Sequence, residues 1–333
     1  MATQIQASFT TNHTDMVHDS QLDYYGRRLA TCSSDRTIKV FDVGEDLQQQ
    51  TGEIIGHEGP VWQIGWSHPQ FGILLASCGY DRRVNIHKEV QLGTWVKLYT
   101  YEGHGASVNG IAWAPHEFGL QLAACSSDGS ISVHSHREED QSWHVSRFPD
   151  CTIGCNAISW APAAHIGGTQ PDNYNTGSAE YVKRLAVASS DGRVRLYKAV
   201  SNGSASGPGS GESWTREADL VGEEGAAFPH REWVRDVAWS PSSGVGANTL
   251  ASCSDDGVVA VWTQTSPGGA WVVQVLPRFE SPCWRVSWSV TGHLLAVSCA
   301  DNAVTLWKQA MDGQFVLISA VPDATTTQTQ TQG

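Results

Sequence analysis

Apolar and polar residues alternate with a period of two in short runs, and the runs return in the same order around an acidic turn. The clearest copy is Leu29-Ala30-Thr31-Cys32-Ser33-Ser34-Asp35-Arg36-Thr37-Ile38-Lys39-Val40-Phe41. An apolar strand enters a turn carrying Asp35, and a second strand leaves with apolar residues three and five after that Asp and a ring six after it. Six copies are present, anchored on Asp35, Asp81, Asp128, Asp191, Asp256 and Asp301. Their +3/+5 pairs are Ile38/Val40, Val84/Ile86, Ile131/Val133, Val194/Leu196, Val259/Val261 and Val304/Leu306. The sixth position holds Phe41, His87, His134, Tyr197, Trp262 or Trp307. Alternate side chains of a strand point to opposite faces, so each pair marks one face for burial.

Upstream of each Asp a second pattern predicts a short strand, seen in His57-x3-Val61-x2-Ile64-x-Trp66 and again from His104 to Trp113 and from His230 to Trp239. The first copy has His13, Val17, Ser20 and Leu22 there. The fourth and sixth keep only the strand, as Ile158/Trp160 and Val286/Trp288. Downstream, a strand opening on an aromatic residue follows at Trp95, Trp143, Trp271 and Phe315, and after a longer loop at Trp214. Each repeat therefore reads as four antiparallel strands with the Asp in the turn between the second and third. Successive anchors lie 46, 47, 63, 65 and 45 residues apart, and the common spacing is the period of a propeller blade.

The fold class expected is all-β, a six-bladed propeller over residues 13–321, with an N-terminal extension at 1–12 and a disordered Thr/Gln-rich tail at 322–333. The two long intervals contain insertions at 161–183 and at 201–211, the second nearly all Gly, Ser, Ala and Pro, and a smaller Gly/Ser-rich loop spans 242–248.

Charge and cysteine usage narrow the chemistry. A formal net charge of −13 with no cluster of Lys or Arg argues against nucleic-acid partners and against direct membrane contact. Of the eight cysteines, Cys32, Cys78, Cys125 and Cys253 each stand three before an anchor Asp. Equivalent positions in different repeats do not meet, so these read as small core residues of a protein in a reducing compartment. Cys151 and Cys155 are four apart but lack a second Cys/His pair at metal spacing, so they are read as loop and core residues and no metal site is expected. The first dozen residues are not a secretory signal and no apolar run is long enough to span a membrane. The expectation is a soluble cytosolic or nuclear chain whose sequons at Asn12 and Asn202 are not glycosylated.

The repeated His, Ser, Asp and Trp resemble a catalytic inventory, but a nucleophile needs one special constellation, not the same one spread over several blades. His57, Ser77 and Asp81, and His230, Ser252, Asp256 and Trp262, are read as complete sets of a hydrogen-bond network that ties inter-blade loops to their blades. His104, Asp128, Asp191, Asp301 and Trp307 are its partial members. Glycine-rich phosphate cradles, nucleophile elbows and metalloprotease helices are absent from the sequence. The chain is expected to be no enzyme and to need no cofactor. Most of the 14 tryptophans are expected between blades. Trp62 and Trp284 share a repeat position and are candidates for a channel rim that anchors a peptide, with packing between blades the favoured role.

These motifs carry a family resemblance over residues 12–321. The chain resembles the WD-repeat propellers and, more narrowly, the small propeller subunit shared by the COPII outer coat and the nuclear-pore Y-shaped scaffold. The resemblance rests on residues 18–26 and 29–43, on Gly56-His57-Glu58-Gly59-Pro60-Val61-Trp62-Gln63, on Thr152-Ile153-Gly154-Cys155-Asn156-Ala157, and on residues 233–239 and 304–308. His87 departs from the Trp expected there. The resemblance implies a propeller that stays open and accepts a seventh blade from a larger helical-solenoid partner, the larger outer-coat subunit or a nuclear-pore scaffold nucleoporin. It also implies a role in a nutrient-signalling complex at the lysosome or vacuole. The implied locations are the cytoplasmic face of the endoplasmic reticulum, COPII vesicles, the nuclear pore and the cytosol. Candidate residues for the open seam are Ile38, Val40, Val304, Leu306, Phe315 and Leu317. The competing function is a peptide-binding WD-repeat adaptor, as in a ubiquitin ligase.

Overall fold

The computed structural model describes residues 9–44, 48–163, 182–200, 212–220, 228–241, 248–266 and 268–321. The tail, the loop at 201–211, residues 1–8 of the N-terminal extension and most of the loops at 161–183 and 242–248 lie outside the described residues.

Among the described residues, twenty-four strands form six four-stranded antiparallel sheets, each in sequence order. The first blade holds β1 (Val17–Leu22), β2 (Arg28–Ser33), β3 (Thr37–Val43) and β4 (Gln48–Ile55), and the second β5 (Val61–Trp66), β6 (Leu74–Gly79), β7 (Val84–Gln91) and β8 (Thr94–Tyr101). The third holds β9 (Val108–Trp113), β10 (Gln121–Ser126), β11 (Ser130–Arg137) and β12 (Ser142–Pro149), and the fourth β13 (Cys155–Trp160), β14 (Arg184–Ser189), β15 (Val194–Val200) and β16 (Ser213–Asp219). The fifth holds β17 (Val234–Trp239), β18 (Asn248–Ser254), β19 (Val259–Gln264) and β20 (Val272–Val275), and the sixth β21 (Cys283–Trp288), β22 (Leu294–Cys299), β23 (Val304–Gln309) and β24 (Phe315–Val321). The architecture is a six-bladed β-propeller. Among the described residues no helix is long and apolar enough to cross a membrane.

Every Asp turn is built the same way. The anchor carboxylate accepts the backbone N–H two residues on, at 2.8 to 3.2 Å, from Thr37, Arg83, Ser130, Arg193, Val258 and Ala303. The intervening residue is left-handed in all six, at φ 71° for Arg36, 69° for Arg82, 77° for Gly129, 78° for Gly192, 72° for Gly257 and 62° for Asn302. A side chain that mimics a backbone turn holds the chain in a conformation that costs L-residues energy, and this sets the hairpin register.

Two compact units, described separately, account for the chain: residues 7–158 with the first three blades, and residues 159–200 and 214–333 with the blades that follow. In the first unit, Ala30, Cys32, Ile38 and Val40 of the first blade pack on Val61, Ile64 and Leu75 of the second. Ala76, Cys78, Val84 and Ile86 repeat this against Val108, Ile111, Leu122 and Ala124 of the third. In the second unit, Ala251, Cys253, Val259 and Val261 of the fifth blade meet Val286, Leu295, Val297, Trp307 and Phe315 of the sixth. In each of these three pairs of blades the +3/+5 face is thus the face turned to the next blade. Ala and Cys on its second strand are short enough for two sheets to close on branched side chains.

Polar locks accompany the apolar contact. The indole N–H of Trp66, Trp113 and Trp288 donates to the Gln21, Gly65 and Ala238 carbonyls of the preceding blade at 3.0, 2.8 and 2.9 Å. The side chains of Asp19, Gln63 and Asp236 accept the Ile64, Ile111 and Val286 amides of the next inner strand at 3.2, 2.7 and 3.0 Å.

Candidate functional site

The repeated polar residues converge on hydrogen-bond chains. In the second blade His57 donates from Nδ1 to Asp81 at 2.9 Å and accepts at Nε2 from the Ser77 hydroxyl at 2.8 Å and from the Asn85 amide at 3.1 Å. In the third blade the chain is longer. The Tyr99 hydroxyl meets His134 Nδ1 at 3.0 Å, His134 Nε2 meets Ser132 Oγ at 2.8 Å, Ser132 meets His104 Nε2 at 2.8 Å, and His104 Nδ1 meets Asp128 at 3.3 Å. In the fifth blade Trp262 takes the place of His134. Its indole donates to Ser252 at 3.0 Å, and Ser252 lies 2.7 Å from His230 Nε2. The first blade completes the same motif with His13, 2.8 Å from Asp35 and 2.9 Å from Thr31.

Three blades arrange these residues differently. The fifth-blade set is not a closed chain, because His230 Nδ1 is 4.0 Å from Asp256, beyond hydrogen-bond range. Asp256 instead accepts the Arg231 and Val258 amides at 2.7 and 3.0 Å. In the fourth blade Asp191 is paired by Arg195, whose Nη1 is 3.2 Å from Oδ1. In the sixth blade Trp307 donates to Thr305 at 3.0 Å, while Asp301 serves its turn.

Electrostatics follow from enclosure. Burial pushes the Asp81 carboxyl up, but hydrogen bonds from His57 and from the Glu58 and Arg83 amides outweigh it and hold it below the usual range. Asp128 balances burial in the same way against Ser130 and the Gly105 amide and falls to about 2. Burial drives His87 down to about 4, with help from His57 and Lys97, and drives His134 to about 3. His134 is held neutral between the Tyr99 and Ser132 hydroxyls, an arrangement that rigidifies the blade, whereas His87 is held neutral chiefly by burial, with its Nδ1 buried and without a hydrogen-bond partner among the described residues.

The blade faces differ more than the networks do. Of the twelve residues in the +3/+5 pairs, the ten from the first five blades are at most 1 % exposed, whereas Val304 is 36 % exposed and Leu306 is half-buried. Ala296 and Ser298, paired with Leu306 and Val304, are likewise half-buried where their counterparts Ala30 and Cys32 are fully covered. Four seam candidates lie elsewhere. Ile38 and Val40 are buried against the second blade, because the +3/+5 face of the first blade points to it. Phe315 is buried against the fifth, with its ring 5.7 Å from Trp288 and its amide 3.0 Å from the Gln274 side chain. Leu317 pairs with Trp307 across a β-bulge and so shares the face of Trp307, turned to the fifth blade, where it remains 52 % exposed. Local alternation alone does not reveal that bulge. Of the two rim tryptophans, Trp62 donates to Ser107 at 2.8 Å and packs on His18, whereas Trp284 is 56 % exposed.

Sheets that repeat an Asp turn tied to His and Ser define the class of WD-repeat propellers, and the WD domain, G-beta repeat family matches residues 4–42, 48–88, 95–135, 223–263 and 270–308. The fourth repeat, which lacks the His and carries the longest insertion, is outside these matches. The chain is 46% identical over 321 residues to the protein SEC13 homolog of Dictyostelium discoideum, covering 96% of this chain and 99% of that protein. Identity is 47% over 313 residues to the human SEC13 homolog, covering 93% and 91%. It is 40% over 354 residues to the protein transport protein SEC13 of Mycosarcoma maydis, covering 93% of each. The chain belongs to the SEC13 family.

Proposed function

We propose that the chain is a non-enzymatic scaffold subunit of the COPII outer coat, acting in transport from the endoplasmic reticulum to the Golgi, and of the nuclear-pore scaffold. In both settings a larger helical-solenoid protein supplies a seventh blade that covers the free face of the sixth. The carrying observation is the contrast between Val304 and Leu306 and their ten covered counterparts. Covering about 300 Å² of apolar surface at about 25 cal/mol per Å² supplies roughly 7 kcal/mol before association costs. An inserted strand set is the natural cover. The names of the relatives support the transport assignment; the coat, the pore, the nutrient-signalling complex and the placement at the endoplasmic reticulum belong to the proposal.

Co-expression with the blade-forming segment of the large coat subunit is expected to yield a one-to-one complex that melts at a higher temperature than the chain alone. Leu306→Asp is expected to abolish that gain and leave the melting temperature of the isolated chain nearly unchanged. Absence of a complex, together with a loss of several degrees in the isolated Leu306→Asp chain, means that the ring closes on itself and overturns the proposal.

A further inference from the structure

The loop leaving β12 and entering β13 brings together three side chains of metal-ligating type. One carboxylate oxygen of Asp150 and the sulfurs of Cys151 and Cys155 all lie within 4.8 Å of one another. Spacing alone could not reveal the site, because the third donor is a carboxylate adjacent to the first cysteine and not a second Cys/His pair.

The loop is held in place by the backbone. The Asp150 and Cys151 amides both donate to the Gly129 carbonyl, at 2.8 and 3.3 Å. Gly129 has no room for a β carbon, which would stand 1.6 Å from the Cys151 carbonyl oxygen, and at Gly154, with φ 117°, one would press on the Ser127 backbone at 3.1 Å. The donors are therefore positioned before any ligand arrives, which lowers the ordering cost of binding.

The spacing of the donors suits a small tetrahedral ion. Cys155 Sγ is 3.5 Å from Asp150 Oδ2, and with Zn–S near 2.3 Å and Zn–O near 2.1 Å the sulfur-to-oxygen edge of a tetrahedron is about 3.6 Å. Two sulfurs select a borderline-soft cation over calcium or magnesium. Cys155 is buried, while Asp150 and Cys151 are partly exposed beside a cavity of about 560 Å³ that they line together with Thr152. The exposed side of the cluster thus leaves water access to an ion held there. The neighbouring cation, Arg147, is engaged by Asp128 at 2.9 Å, the Gly103 carbonyl at 2.8 Å and Ser130 at 2.9 Å.

We propose that Asp150, Cys151 and Cys155 form a zinc site with water in the fourth position, which clamps the connection between the third and fourth blades.

The test is a titration of the reduced full chain with Co²⁺ under argon. Visible bands of tetrahedral cobalt and a sulfur-to-cobalt charge-transfer band are expected to saturate at one ion per chain and to disappear with one equivalent of Zn²⁺. Replacing even a residue that only supports a metal ligand commonly costs about ten- to a hundredfold in affinity, and loss of a direct ligand costs at least as much. In competition with a chromophoric chelator, Cys151→Ser and Asp150→Asn are therefore each expected to weaken zinc by at least about tenfold. Cys299→Ser, in the other close thiol pair at 3.5 Å, is expected to leave binding unchanged. Thermal melts separate loss of the site from loss of the fold, and both ligand variants alter partly exposed residues. Absence of stoichiometric tetrahedral cobalt in the folded chain overturns the proposal. So does zinc affinity that is unchanged in Cys151→Ser and Asp150→Asn, or that follows Cys299.

Discussion

Acidification from pH 7.5 to pH 5 is expected to destabilise this propeller strongly, and the buried histidines set the size of the effect. Burial pushes His87 down to about 4, His134 to about 3 and His230 to about 4, against about 6.5 in an unfolded chain. The folded values are depressed, so the unfolded state binds more protons in this window. Stability is fully present above about pH 6.5 and is lost as pH falls from there toward the folded values. At pH 5 an unfolded imidazole is almost wholly charged and each of these folded ones almost wholly neutral, a difference of about 2 kcal/mol per histidine. Three such groups give about 6 kcal/mol, comparable with the whole stability of a typical domain. His104, lowered by burial despite Asp128, adds in the same direction. Asp81 and Asp128, held below the usual range, are ionised on both sides of the transition down to pH 5 and contribute little there. Urea unfolding followed by tryptophan fluorescence at pH 7.5, 6 and 5 measures the slope. His134→Gln removes the titration of the ring that faces Ser132, Tyr99, Tyr101 and His104, and it is expected to reduce the total loss by about 2 kcal/mol. Equal stability at pH 7.5 and pH 5, or a His134→Gln variant as acid-sensitive as the parent, would refute the reasoning.

Asp81→Ala strips the acceptor from His57 and from the Glu58 and Arg83 amides, and denaturant unfolding at pH 7.5 is expected to register a loss of about 3 kcal/mol. Phe315→Ala is expected to cost about 3 to 5 kcal/mol in the same assay, because Phe315 is core between the fifth and sixth blades and not a partner surface; a neutral substitution would return it to the seam. Arg82→Gly relieves a left-handed residue that is exposed at its turn and is expected to raise stability by about 0.5 to 1 kcal/mol, read as a higher melting midpoint.

Much of this molecule is legible in its sequence because the information is local. Period-two alternation, an Asp that caps its own turn and a blade-length spacing are interactions between residues a few positions apart. They specify strands, hairpins and the six four-stranded sheets without reference to the rest of the chain. The pairing Cys32 with Ile38 and Ala30 with Val40 already follows from the turn at Asp35. The same locality explains why Trp262 and His134, each six after its anchor Asp, both reach a serine of their own blade, Ser252 or Ser132.

What the sequence by itself leaves open is decided between elements that are far apart in the chain. Alternation places Ile38 with Val40, and Val304 with Leu306, on a common face, but a face acquires a neighbour only when whole sheets stack. Hence the two pairs look alike as sequence and end in opposite environments, one sealed by Val61 and Leu75 and the other partly open. The bulge that turns Leu317 toward the fifth blade depends on the strand pairing of β23 with β24. The 4.0 Å separation of His230 from Asp256 depends on how an entering loop settles on a finished blade. The meeting of Asp150 with Cys151 and Cys155 likewise depends on the backbone of a distant turn, at Gly129, which residue types in the loop do not encode. Covalent neighbours and hydrogen bonds of short range determine the repeat, whereas burial, which is set by the packing of one repeat on another, determines what each copy does.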